Sequence, residues 1–397
     1  MTNGKIISFL LISILLLASF PKISAISVDS NEEVVLTTTS TKEWTLMFYD
    51  DADFSGYDPL DWFAEKAFSS ENINVIVLQD KEHDPANMWY IDNNHNKILL
   101  EELGEVNMGD YFTLFNFINY SKSNYPAERY MLFFYNHGRG WQGACVDNTS
   151  QDALTMDEIQ QALTNNSGVD ITCFSAPCLM GAVESAYELR NCTDVYIGSE
   201  ETSGYVYWGD TMSEIYLLLD TSPDITNVEI GDKIIELIKN NLKSPEWRKW
   251  RKSVTMSSIE TSKLDSVANS IDKLAKDLSQ KIEKNSYRIK LIQALSQPFG
   301  KYKILMKSNI IDVYDFSKKC YIFFFMDKTI RVDAKNVMTS IDNAVIANLK
   351  GLKHPRAHGL TIYFPSNSIY YDDTYVSSGL DFTTNTYWDE FLTNYLT

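Results

Sequence analysis

Arg129-Tyr-Met-Leu-Phe-Phe-Tyr-Asn-His137-Gly138 and Val169-Asp-Ile-Thr-Cys-Phe-Ser-Ala-Pro-Cys178-Leu-Met-Gly181 read in the same way. In each, an apolar run of strand length ends on a reactive side chain, and small residues follow. Neither run alternates strictly between apolar and polar residues. Such runs mark strands buried on both faces, as in a parallel sheet. In open α/β sheets, sites lie beyond the carboxyl ends of the strands. His137 and Cys178 are therefore expected to face one another from the ends of neighbouring strands.

That pair carries a defined chemistry. A thiol attacks as thiolate, and a nearby imidazole takes its proton or holds it as an ion pair. Ala182-Val-Glu-Ser-Ala-Tyr-Glu-Leu189 has helical periodicity. Cys178 is thus expected at a helix N-terminus, where the dipole favours negative charge by roughly 0.3–1 kcal/mol. Gly138 lets backbone approach a substrate carbonyl with no Cβ in the way. A lone buried Cys is ordinarily inert and a lone His ordinarily a core residue. The two at matching strand ends make catalysis the better reading.

Asn136-His137-Gly138-Arg139-Gly140-Trp141 and Cys178-Leu179-Met180-Gly181 resemble the clostripain family of cysteine peptidases, in the caspase-like clan. The resemblance extends to Trp44–Tyr49 with Asp53, Leu103–Asp110, Tyr125-Pro126-Ala127, Gly198-Ser199-Glu200-Glu201 and His358–Pro365. It implies an α/β fold: a caspase-like sheet, mostly parallel, flanked by helices. It implies peptide-bond cleavage by a His137–Cys178 dyad, with an oxyanion hole from the backbone N–H groups of Gly138 and Cys178. Family members that cleave after Arg or Lys carry an Asp two residues before the Cys. Here that residue is Ala176, followed by Pro177, and Glu200 and Glu201 are the nearest carboxylates by analogy. The chemistry requires no cofactor. Calcium is implied by the resemblance, with Asp50, Asp51, Asp53 and Asp58 as an oxygen-rich loop. Self-cleavage is also implied, but no Lys or Arg lies between Gly143 and Asp152.

The chain has 397 residues and a formal net charge of −18. That charge argues against nucleic acid and anionic membrane surfaces as partners. A protein or peptide substrate is the partner the resemblance implies. Met1–Ala25 reads as a signal peptide, with Lys5 before the apolar Ile6–Phe20 and a small residue at Ala25. The expected location is secreted or cell-surface; an uncleaved segment, the alternative, would anchor the chain in a membrane. The five cysteines are Cys145, Cys173, Cys178, Cys192 and Cys320, an odd number that leaves a thiol over. Disulfide pairing among the others is open, and no Cys-x-x-Cys suggests zinc. Asn119, Asn148, Asn165 and Asn191 begin glycosylation sequons.

The expected organisation is a signal peptide over 1–25, a flexible lead over 26–42, a peptidase core over 43–220, and a C-terminal helical region with added strands over 221–397. Expected core strands are Trp44–Tyr49, Ile73–Gln79, Tyr130–Tyr135, Val169–Phe174 and Asp194–Gly198. A helix is expected near Tyr57–Ser69 and a hairpin from Met88–Asp92 and Lys97–Leu103. Asp110–Ser123 is expected to be a helix capped by Asp110, and Thr155–Leu163 a helix with a capping box. Beyond Asp220, helices are expected at Asn227–Leu242, Thr261–Lys284, Lys284–Gln297, Ile310–Lys318, Val332–Leu349 and Trp388–Tyr395. Strands are expected at Ser253–Ile259, Tyr321–Met326 and Gly359–Phe364. Two rival functions fit the same residues: a surface binding protein that has lost activity, and a thiol hydrolase or transferase acting on a non-peptide. Retention of both His137 and Cys178 weighs against the first.

Overall fold

The computed structural model describes residues 41–53, 60–82, 84–203, 208–245, 247–300 and 309–396. The targeting segment and most of the lead lie outside these, as does Asp58. In chain order the strands are β1 Lys42–Ala52, β2 Ile73–Lys81, β3 Asp84–Ile91, β4 Lys97–Gly104, β5 Ala127–Tyr135, β6 Ala144–Asp147 and β7 Asp152–Leu154. They continue with β8 Val169–Phe174, β9 Thr193–Gly198, β10 Thr255–Glu260, β11 Pro298–Phe299, β12 Ile310–Asp312, β13 Val345–Lys350 and β14 Thr361–Tyr363. Nine of them form one sheet in the order β13-β10-β9-β8-β5-β1-β2-β3-β4. The central five, from β9 to β2, are parallel. Antiparallel strands extend both edges.

The central strands lack apolar–polar alternation because both sheet faces are covered. Met47 and Tyr49 point into one apolar layer with Leu132, Phe134 and Phe174. Leu46 and Phe48 point into the opposite layer with Met131, Phe133 and Cys173. Cross-strand rings tie the register on each side: Phe48 stacks on Phe133 at 4.6 Å, and Phe134 on Phe174 at 4.8 Å. Such pairs add about 0.5–1.5 kcal/mol each beyond the area they bury. The Asp110 and Thr155 caps form as expected. Asp110 Oδ2 accepts the Phe112 N–H at 2.9 Å, and Thr155 exchanges backbone and side-chain bonds with Glu158.

Three expectations are corrected. Tyr321–Met326 is not a strand; the helix Val313–Phe323 runs through its first half. Asp312 caps that helix through the Asp315 N–H, and Ile322, Phe325 and Met326 are left exposed. β-Rich composition lost there to a strong cap and to the lack of a neighbouring strand. Ile310–Asp312 is strand β12 and not a helical turn, because it pairs with β14, Ile311 opposite Ile362. The expected helix Val332–Leu349 ends at Ala344, and Val345–Lys350 becomes edge strand β13 on β10. β10 and β13 thus bring sequence from beyond Asp220 into the main sheet.

Candidate active site

β5 and β8 are adjacent and parallel, with Phe134 opposite Phe174. Strand neighbours lie roughly 4.8 Å apart. His137 is three residues beyond Phe134 and Cys178 four beyond Phe174, so their loops leave the sheet side by side. The Ser175 hydroxyl donates to the Phe134 carbonyl at 3.0 Å and holds the two exits together. The loops then touch backbone to backbone. A Cβ built on Gly138 would lie 2.3 Å from the Cys178 carbonyl oxygen and 2.7 Å from the Cys178 nitrogen. Only glycine permits that approach.

Each loop is fixed by its own bonds. Asn136 has φ 152°, a conformation few L-residues adopt. Its side-chain amide donates to the Asp51 carbonyl at 2.8 Å, and its Oδ1 accepts the Val146 N–H at 3.1 Å and the His137 N–H. Beyond it, the Cys145 N–H donates to His137 O at 3.0 Å and the Arg139 N–H to Gly143 O at 2.9 Å. This two-rung ladder uses the peptides on either side of Gly138 and leaves the Gly138 N–H outside it. His137 is exposed and Cys178 half-buried, so both are open to a substrate. Cys178 Sγ lies against the Ser203 backbone, accepting its N–H at 3.3 Å and donating to its carbonyl at 3.8 Å.

Cys178 is not at a helix N-terminus. The helix Val183–Glu188 begins five residues later. Leu179 has φ 64°, and the Leu179 and Gly181 N–H groups donate to the Glu201 and Ser199 carbonyls at 3.2 and 2.8 Å. The chain therefore runs beside the end of β9 before it coils. The other cysteines are all buried, and all five are free. Burial pushes the Cys145 and Cys173 thiols well up and Cys192 up to about 12. Cys178 is the accessible thiol of the set.

Of the residues expected to shape a substrate pocket, Ala176 is buried in the apolar layer that holds Cys173 and Trp208. Glu200 is buried as well, accepting the Gly359 N–H at 3.1 Å. Burial, then Asp312, pushes its carboxyl well above the usual range. Glu201 stays near the Cys loop. Its carbonyl takes the Leu179 N–H, its Oε1 takes the Gly300 N–H at 3.2 Å, and its Oε2 is 3.7 Å from His354 Nε2. On the opposite sheet face, a 570 Å³ cavity opens beside His137, walled by Arg139, Trp141, Leu179, Ile310 and Tyr363. Sequence reasoning missed the clamping role of Asn136, though an Asn directly before His-Gly at a strand end is a usable signal for a positive φ.

The acidic residues at the ends of β1 and β2 pack tightly. Oxygens of Asp51, Asp53 and Asp80 are buried with no hydrogen-bond partner among the described residues. Burial, then Asp147, holds the Asp51 carboxyl well up. Burial, then Glu105, raises Asp80 to about 8. Among the described residues no three His, Cys, Asp or Glu converge well enough to hold a metal ion. Asp58, the fourth residue of the expected calcium loop, lies outside the described residues.

Comparison with known proteins places these features. The clostripain family model matches residues 51–395. Clostripain from Hathewaya histolytica is 26% identical over 444 residues, covering 91% of this chain and 83% of that protein. An inactive zymogen C11 protease from Parabacteroides distasonis superposes with a TM-score of 0.63 at 17% identity, over 87% of this chain and 99% of that one. A secreted C11 cysteine protease from Bacteroides thetaiotaomicron, solved with an irreversible peptide inhibitor, gives 0.62 at 18% identity, over 88% and 99%. These likenesses fix the caspase-like fold.

Proposed function

Because this chain belongs to the clostripain family of cysteine peptidases, we propose that it cleaves peptide bonds through a Cys178–His137 dyad, outside the cytoplasm. The observation that supports the dyad is the close backbone approach of Gly138, next to His137, to Cys178. Cys178 Sγ attacks the scissile carbonyl carbon, and its proton passes to His137. The carbonyl oxygen becomes an oxyanion, which the N–H groups of Gly138 and Cys178 stabilise. Donors of this kind are worth roughly 2.7–4 kcal/mol each. Collapse breaks the C–N bond, and His137 returns the proton to the leaving amine. Water, deprotonated by His137, then hydrolyses the thioacyl-enzyme and restores the thiol.

Ala176 supplies no carboxylate for a basic P1 side chain, so charge at that pocket falls to Glu201. Export rests on Met1–Ala25 and agrees with the secreted relative. No helix among the described residues is long and apolar enough to cross a membrane. Cys178→Ala and His137→Ala test the reading. Each should remove nearly all turnover of peptide amides while thermal unfolding stays within a few degrees, and the losses should not add. Substantial activity in either variant would refute the dyad.

A further inference from the structure

The chain carries a net charge of −18, yet one cavity is lined with the opposite sign. Lys239, Lys243, Arg248, Arg251, Lys252 and Lys350 surround a space of 510 Å³ whose lining includes no Asp or Glu among the described residues. The floor is apolar: Leu242, Val254 and Leu349 are all buried. Much of the rim comes from Trp247-Arg-Lys-Trp-Arg-Lys252. Trp247 and Trp250 pack against the core, and the cationic residues between and after them are exposed.

The rim has a fixed backbone. The Gly351 N–H donates to Val254 O and the Lys353 N–H to Lys252 O, both at 2.8 Å. A Cβ on Gly351 would meet the Lys252 carbonyl at 2.5 Å. Counter-charge is sparse and one-sided: Glu236 acts on Lys239 and Lys243, and buried Glu200 on Lys350. Lys243 donates to Asn240 Oδ1 at 2.7 Å and Lys350 to Ala357 O at 2.8 Å, both neutral acceptors. On the helix Asn227–Asn241, the Glu236 carboxylate bonds Lys233 at 2.8 Å, and neither residue lines the cavity. Six cations against these few carboxylates leave an excess of positive charge, which raises the local potential and attracts an anion.

Its position says which anion. β10 runs antiparallel to β9, and β13 antiparallel to β10 with Thr255 opposite Lys350. The start of β10 and the end of β13 therefore lie on the sheet edge that carries Cys178. The floor residues belong to the same apolar layer as Ala176. Three strand steps separate β8 from β13, roughly 14 Å. An extended peptide covers that span in about four residues at roughly 3.3 Å each. Building on the peptidase reading above, we propose that this cavity is an exosite. It binds an acidic stretch of the peptide substrate about four or more residues from the scissile bond. Arg248 and Arg251 take its carboxylates by charge-assisted hydrogen bonds, and one apolar side chain rests on the floor. A flat anionic bilayer would reach the exposed cations but not the recessed Leu242 and Val254.

Two measurements decide it. The first uses Cys178→Ala protein, which holds peptide without turnover, and fluorescein-labelled dodecapeptides with or without an Asp/Glu block, read by anisotropy. The acidic peptide should bind about ten-fold tighter at low salt, and the difference should shrink in 0.5 M NaCl. The added triple substitution R248E/R251E/K252E should abolish it. The second compares kcat and KM on unlabelled versions of the same peptides. The triple variant should raise KM for acidic peptides alone and leave cleavage of a short neutral peptide amide unchanged, which also shows that it folds. Equal binding of acidic and neutral peptides, or a preference that survives charge reversal, would overturn the proposal. So would tight binding of phosphatidylglycerol vesicles or inorganic polyphosphate with none of the acidic peptide. If wild type cleaves no peptide, the peptidase reading fails, and the anisotropy arm still decides the exosite.

Discussion

Gly138→Ala should lower kcat/KM by about a hundred-fold, and the reason is purely geometric. The new methyl would lie 2.3 Å from Cys178 O, 2.7 Å from Cys178 N and 2.8 Å from Pro177 C. All three are backbone atoms, so no rotamer change can relieve the clash. The tightest ordinary carbon–oxygen contacts are about 3.3 Å, so the His and Cys loops must part by roughly 1 Å. A displacement of that size at reacting groups can cost about 10²-fold in rate. Overpacking should also remove about 1–3 kcal/mol of stability. The assay is kcat and KM on a peptide amide, with thermal unfolding of the same preparations. Gly104→Ala is the control. Gly104, unlike Gly138, has positive φ, 73°, and the space around its Cβ position is open. That variant should lose some stability and keep its rate. A Gly138→Ala enzyme within about three-fold of wild type would refute the argument that this contact sets the dyad.

Ala176→Asp should raise kcat/KM for Arg relative to uncharged P1 residues by about ten- to a hundred-fold, the equivalent of 1–3 kcal/mol. No change would mean that Ala176 does not line the pocket. Glu184 is buried, accepts the Tyr363 N–H at 2.8 Å, and is raised by burial to about 7. Its folded value lies above its ordinary one, so its stabilising effect is full below about pH 4.5 and is lost as pH rises through 7. The unfolding temperature should fall between pH 5 and 8, and Glu184→Gln should shrink that slope without abolishing it, since Glu188 and Asp80 act in the same direction. An unchanged slope would contradict the assignment. Mass spectrometry of the exported protein should find an N-terminus near Ile26; intact Met1 would indicate an anchor.

The parallel core was legible because burial on both faces leaves unbroken apolar runs such as Met131–Tyr135. That His137 and Cys178 lie on adjacent loops was legible because each run ended on its reactive residue. The path after Cys178 was not. Ala182–Leu189 does contain a helix, but the turn before it depends on Leu179 at positive φ and on Gly181 pressed against Glu200, where a Cβ would meet its nitrogen at 2.7 Å. Both are tertiary contacts. β13 was hidden for a related reason. No Gly or Pro separates it from the helix Lys328–Ala344, and only long-range pairing with β10 converts Val345–Lys350 to strand. The basic rim was in plain view as Trp247–Lys252, but the net charge of the whole chain masks a local patch of opposite sign.

The central claim, that Cys178 is the nucleophile, is tested most directly by labelling the active protein with one equivalent of a thiol-reactive peptidyl ketone and mapping the adduct. The four other thiols are buried, and Cys178 alone is accessible. The account predicts a single adduct on Cys178, formed in step with loss of activity and absent from Cys178→Ala. An adduct on any other residue, or full activity with Cys178 modified, would contradict it.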